Sequence, residues 1–369
     1  MKMIKILILV LSTNYTLNAL SISSSDPLKI EIAKNFNNFK SINLSTIGKK
    51  ITYIPLETKP ECLIQRIYKV ELSDSYIFVQ DFNKLLVFDR SGKFVRQIGT
   101  SGRGPAEQTY LSSFCIDALQ NEVFVVSLNP NKLDVFSFNG NLISSTKIDF
   151  RPSQVMLNDH NSLIFQLWDE PLKDNPGWVV TDRKGKLLAS IKRTQKRINK
   201  PGVLIIRVPF YKYNEKVHFM EFASDTLFNL EKAKKTPYAK FQFGNYKMDP
   251  DPLTTPSYKN DSIKYANMLW AETILENRMF IFISLKIAMT GYYRNILFNK
   301  RTNESALLKD NVFKNDLNWS TGFWPKLITD DGVLVDYKDS FELLKGLIPP
   351  PLRGKITETS NPVLILLNE

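Results

Sequence analysis

From about residue 40 onward, apolar residues come in short blocks rather than at the three-to-four spacing of a helix. Tyr76-Ile-Phe-Val-Gln, Lys84-Leu-Leu-Val-Phe-Asp, Glu122-Val-Phe-Val-Val and Lys132-Leu-Asp-Val-Phe are examples, each bounded by Gly, Asn, Asp or Pro. Blocks rich in β-branched and aromatic residues between such punctuation predict short strands and turns, hence an all-β protein. The blocks repeat. Leu86-Val-Phe-Asp-Arg-Ser-Gly-Lys-Phe-Val, Asp134-Val-Phe-Ser-Phe-Asn-Gly-Asn-Leu-Ile and Val179-Val-Thr-Asp-Arg-Lys-Gly-Lys-Leu-Leu place Gly92, Gly140 and Gly185 in register, 48 and then 45 residues apart. A glycine fixed in a hairpin turn supplies a positive φ angle.

A period of that length suits a four-stranded propeller blade. Weaker copies follow from Asp225, from Arg294 and from Trp324, so six units are expected between about residue 60 and the C-terminus. One blade cannot bury both faces of its own sheet, so the six must stack around an axis. The expected fold is a six-bladed β-propeller over residues 50–369. Lys50-Ile-Thr-Tyr-Ile-Pro-Leu and Pro362-Val-Leu-Ile-Leu-Leu are expected to share one blade and close the ring. Residues 245–266, with Pro250, Pro252 and Pro256, read as a long loop. Asp339-Ser-Phe-Glu-Leu-Leu-Lys-Gly reads as a short helix with an acidic start and a Gly stop.

The N-terminus has a different pattern. Lys2 and Lys5 open it, Ile4 to Leu11 is apolar, and polar residues lead to Ala19. That order predicts a signal peptide over 1–19, an N-terminal segment over 20–49, and export to the periplasm or cell surface. No Cys stands near the cleavage point to carry a lipid anchor, and no later stretch is long enough to form a transmembrane helix.

Composition narrows the chemistry. The 369 residues include 24 Phe, 14 Tyr and 5 Trp, but only two His and two Cys. No zinc spacing is present, and no metal site or cofactor is expected from motifs, although carboxylate-held calcium in the channel stays open. Cys62 and Cys115 could form a disulfide in an oxidising compartment or stand as free buried thiols. The formal charge of +12 becomes +10 once Lys2 and Lys5 leave with the signal.

Four further motifs carry candidate chemistry. Gly99-Thr-Ser-Gly-Arg-Gly-Pro-Ala-Glu resembles a phosphate loop, but Pro105 removes a donor and no Lys follows, which favours an inter-blade connection. Arg103 and Glu107 in it are candidate ligand contacts at the propeller mouth. Basic residues crowd 183–200, and Lys192, Arg193, Lys196 and Arg197 form a candidate basic patch for an acidic partner. Trp168, ahead of Asp169-Glu170-Pro171, is the best candidate for an exposed ring, while Trp178, Trp270, Trp319 and Trp324 are expected to fill gaps between blades. His160 reads as a turn residue and His218 as a packed strand residue, so neither is assigned a catalytic role.

Ile54-Pro-Leu-Glu-Thr, Lys84 to Phe94, Ile98-Gly-Thr-Ser-Gly-Arg-Gly-Pro-Ala-Glu, Asp225-Thr-Leu-Phe and Thr359-Ser-Asn-Pro-Val-Leu-Ile-Leu together resemble the Bacteroidetes "6-bladed beta-propeller" proteins, an NHL-like family of unknown function. The resemblance implies the fold and the envelope compartment but brings no catalytic residues. The expected function is a monomeric, non-catalytic binding or scaffold propeller holding a peptide, glycan or protein partner, with no nucleic acid. The alternative is a metal-assisted hydrolase or lyase, lactonase-like, acting at the central channel.

Overall fold

In the computed structural model, residues 26–102, 104, 106–168, 176–194, 207–231, 233–248, 266–288 and 290–368 are described. The expected signal peptide and most of the 245–266 insertion lie outside them.

Six sheets form a six-bladed β-propeller, each built from an antiparallel four-stranded meander. Blade 1 comprises Ile67–Leu72, Tyr76–Asp81, Lys84–Asp89 and Phe94–Ile98. Blade 2 follows with Tyr110–Asp117, Glu122–Leu128, Lys132–Ser137 and Leu142–Lys147. Blade 3 contains Pro152–Asp159, Ser162–Leu167, Pro176–Asp182 and Leu187–Lys192. Blade 4 contains Phe210–Tyr213, Lys216–Met220, Thr226–Glu231 and Lys234–Gln242. In blade 5 the strands are Leu269–Glu276, Phe280–Ile287, Tyr293–Asn299 and Glu304–Leu308. Blade 6 joins the two ends of the chain: Leu327–Ile328, Leu334–Lys338, Val363–Asn368 and then Lys50–Pro55, with Val363 opposite Pro55 and Asn368 opposite Lys50. The expected closure is the observed one.

The unbroken apolar blocks now have a cause. Each sheet is covered on both faces by its neighbours, so successive residues of a strand are both buried. In Lys84–Asp89, Leu85 and Val87 pack toward blade 2, while Leu86 and Phe88 pack toward blade 6. Separate cores fill the junctions between blades 1 and 2, 2 and 3, 3 and 4, 4 and 5, 5 and 6, and 6 and 1. Trp178 packs on Phe219 at 4.2 Å in the junction of blades 3 and 4. Cys62 and Cys115 are both free and buried, and burial raises the pKa of both thiols.

The three aligned glycines sit in the turns between third and fourth strands, with φ of 90°, 86° and 87°. At Gly92 close approach adds to the backbone requirement. Its amide oxygen accepts from Glu57, and a Cβ built there would lie 2.2 Å from the Pro55 oxygen. Gly332 has φ +85° but nothing within 4 Å of such a Cβ. Gly332→Ala is therefore expected to cost about 1 kcal/mol, from the backbone conformation alone. Gly92→Ala should cost about 3 kcal/mol, because overpacking adds to that. Urea midpoints measure both, and equal losses would remove the docking of this turn on blade 6.

One feature has no counterpart in the repeat. Residues ahead of the ring form a strap around its outside. Leu28–Glu31 adds a parallel strand to the outer edge of blade 4, and Phe39–Lys40 does the same on blade 5. Ile30, Ile32 and Leu44 of the strap are fully buried in the adjoining cores. The expected short helix is present as Ser340–Leu344, after Asp339.

Candidate functional site

The meander puts connections of two kinds at the two ends of the ring. Turns from first to second strand, such as 73–75, 118–121, 160–161, 214–215 and 277–279, are short and lie at one end. The connections from blade to blade and from second to third strand lie at the other. Among the described residues they include 309–326 and 339–362. Long connections converging at one mouth are where a propeller has room to build a site.

Inside the ring, polar groups are used to tie blades together. Lys69 on the first strand of blade 1 donates to the Phe114 oxygen (2.6 Å) and the Val155 oxygen (3.3 Å) of blades 2 and 3, and pairs with Glu71 at 2.7 Å. Glu71 in turn accepts the Ile116 N–H at 2.8 Å. Both side chains are spent on structure. A second network lies between blades 4 and 5. Buried Glu276 accepts from Tyr211 (2.8 Å), Tyr238 (2.5 Å) and Lys300 (2.8 Å). His218 stacks on Tyr211 at 5.1 Å beside it, 2% exposed, and burial lowers its pKa. Among the described residues, no group of three or more His, Cys, Asp or Glu side chains could hold a metal ion.

The long-loop face carries the exposed rings. Phe82, Tyr110, Tyr292, Tyr293, Trp319 and Phe341 are all exposed there, and Phe39 of the strap is the one other exposed aromatic among the described residues. Two lines of rings and cations meet at the mouth. On one side Tyr110 lies 6.4 Å from Phe82, Phe82 lies 6.4 Å from Tyr68, and the Arg66 guanidinium lies 5.4 Å from the Tyr68 ring. On the other side Lys286 lies 5.9 Å from Trp270 and 5.7 Å from Tyr293, and Lys326 lies 3.9 Å from Tyr337.

Carboxylates neutralise most of these cations. Lys286 pairs with Glu272 at 3.4 Å, while Lys326 and Lys338 share Asp336 at 3.1 and 3.5 Å. Burial pushes the Tyr293 phenol up to about 12, helped by its hydrogen bond to Glu272. Burial pushes Tyr337 up to about 12 as well, with Asp336 adding to it. Arg66 and Arg207 oppose both shifts, so each guanidinium lies within electrostatic reach of both rings.

Of the residues singled out from sequence, Glu107, Trp168 and Arg193 lie on connections at this end, but with partners of their own rather than in these lines of rings. Arg103, Lys196 and Arg197 lie outside the described residues. Glu107 is half-buried and accepts the Gly104 N–H of its own connection at 2.7 Å. That connection joins blades 1 and 2, with Thr100–Ser101 beside Glu107–Gln108, as the inter-blade reading expects. Trp168 is half-buried rather than exposed; its N–H donates to the Arg151 oxygen and its own oxygen accepts from Arg193. The exposed Trp is Trp319, at 62%.

Of the basic run, Lys196, Arg197 and Lys200 lie outside the described residues. Arg183 is tied to Asp117 and Glu122 at one end of the Leu187–Lys192 strand. Arg193, past the other end, donates to the oxygens of Pro176 (2.7 Å) and Leu167 (3.2 Å). Lys192 is exposed. A strand advances about 3.3 Å per residue, so charges adjacent in the sequence are separated along it. Arg66, Arg207 and the rings around them were missed, because they come from different blades and no local motif joins them.

A family model described as "Domain of unknown function (DUF4934)" matches residues 27–368. Among solved structures, the chain is similar to a Bacteroides fragilis protein described as exported, at 18% identity and a TM-score of 0.73, over 93% of this chain and 100% of that one. It is also similar to a member of the DUF4221 family from Bacteroides vulgatus, at 13% identity and a TM-score of 0.53, over 87% and 96%. No curated protein matches the sequence. Identities this low speak for the fold. Among the described residues, no helix is long and apolar enough to cross a membrane.

Proposed function

Because the chain belongs to the DUF4934 family, which brings no assigned activity, we propose from the site alone that it is an exported, non-catalytic binding propeller holding a peptide, glycan or protein partner on its long-loop face. The observation that carries the reading is the exposed aromatic surface. Exposed rings cost solvation unless something covers them, and here they gather on the face where the long connections converge. Export is supported by the basic, apolar and small-residue order of the N-terminus. The likeness to a Bacteroides fragilis protein described as exported agrees with it.

The test compares the two faces. Labelled protein is applied to an array of envelope glycans and extended peptides. Phe82→Ala with Tyr292→Ala is expected to weaken the strongest binding about tenfold, the loss of a central aromatic contact. Leu119→Ser, on a short turn and 75% exposed, should leave it unchanged. Loss with Leu119→Ser alone would place the partner on the wrong end of the ring.

A further inference from the structure

The long-loop mouth holds two guanidiniums that no carboxylate among the described residues answers. Arg66 begins blade 1 and Arg207 precedes blade 4; both side chains are exposed, and neither has a carboxylate partner among the described residues. The lysines nearby are different, since Glu272 and Asp336 already answer them. Arg66 also sits at the end of a ring ladder through Tyr68 and Phe82 to Tyr110. An arginine left free beside flat rings is arranged to take a planar anion from a ligand that also offers an apolar face.

Resting on the long-loop face as the binding face, we infer that this mouth binds an acidic polysaccharide of the uronic-acid class, with sugar faces on Tyr68, Phe82 and Tyr110 and carboxylates on Arg66 and Arg207. A guanidinium meets a carboxylate through two parallel hydrogen bonds, a geometry a lysine cannot reproduce. Two such groups on separate blades fit an anion that recurs along a chain better than a single terminal one. A nucleic acid strand would also stack on rings, but it brings a phosphate at every nucleotide, whereas Lys286, Lys326 and Lys338 are already paired with carboxylates.

The probes are an oligogalacturonide, an alginate oligosaccharide and the fully methyl-esterified oligogalacturonide, measured by titration calorimetry. The acidic forms should bind and the ester should not. Arg66→Ala with Arg207→Ala should weaken binding about tenfold or more. The paired lysine variants should recover only part of that loss. Both arginines are exposed, so thermal melting of these variants should match the parent. Failure of both acidic probes to bind, equal binding of the ester, or unchanged binding by the double alanine variant would each overturn the proposal. So would a single-stranded oligonucleotide or polyglutamate that binds more tightly and competes. Loss with Phe82→Ala and Tyr110→Ala but not with the arginine variants would remove the anion while keeping the face. Loss only with Lys216→Ala and Arg278→Ala, at the short turns, would remove both.

Discussion

Deletion of residues 361–369 is expected to leave a chain with no cooperative unfolding transition. Val363–Asn368 is the third strand of blade 6, hydrogen-bonded to Leu334–Lys338 on one side and to Lys50–Pro55 on the other. Val363, Leu364, Ile365, Leu366 and Leu367 are all at most 6% exposed. Burial of five such side chains contributes about 8–15 kcal/mol. That is comparable to the whole stability of a typical domain, about 5–15 kcal/mol. Asn361 goes with them. It accepts the Ile64 N–H at 2.9 Å and donates to the oxygens of Glu57 (2.6 Å) and Cys62 (2.9 Å), locking the approach to blade 1. Tryptophan fluorescence against urea reads the outcome. A truncated chain that melts like the parent would show that the ring does not depend on this strand.

Glu276→Ala is the point substitution expected to cost most. Its carboxylate is fully buried and receives two phenol hydrogens and the Lys300 ammonium. Removing it strands a charge that is only 15% exposed, together with two buried hydroxyls. Breaking a buried pair by deleting one partner costs about 3–5 kcal/mol. Lys300→Met should cost less, because Glu276 keeps its two phenol donors. The urea midpoint should fall in that order at an unchanged slope. A loss below about 1 kcal/mol for Glu276→Ala would mean that the network is no stronger than an exposed ion pair.

The fold was legible because propeller blades are buried on both faces. Two-sided burial writes apolar blocks such as Leu85 to Phe88 into the sequence, and the turn writes Gly92, Gly140 and Gly185 at a fixed spacing. The closure was legible because two strands at opposite ends of the chain had no partner in their own units. The strap was not legible: the alternation Leu28-Lys-Ile-Glu-Ile is short and stands outside the repeat, so nothing in the sequence says which blade edge it joins. The mouth was not legible either. Arg66, Arg207, Tyr293 and Tyr337 are brought near one another only by the ring. Within the basic run, Arg183 and Arg193 are each fixed by groups of their own and separated by a strand, which charge density along the chain does not reveal.

Blade 6 also sets a timetable. Its outermost strand precedes the other three along the chain, so Lys50–Pro55 cannot pair until Val363–Asn368 has been made. The strap waits too, since Leu28–Glu31 needs a strand ending at Gln242. Pairings this distant in sequence slow folding, because the intervening chain must be ordered first. The ring therefore stays open until Val363–Asn368 has been made, whereas the strap can seat on blade 4 before the ring closes.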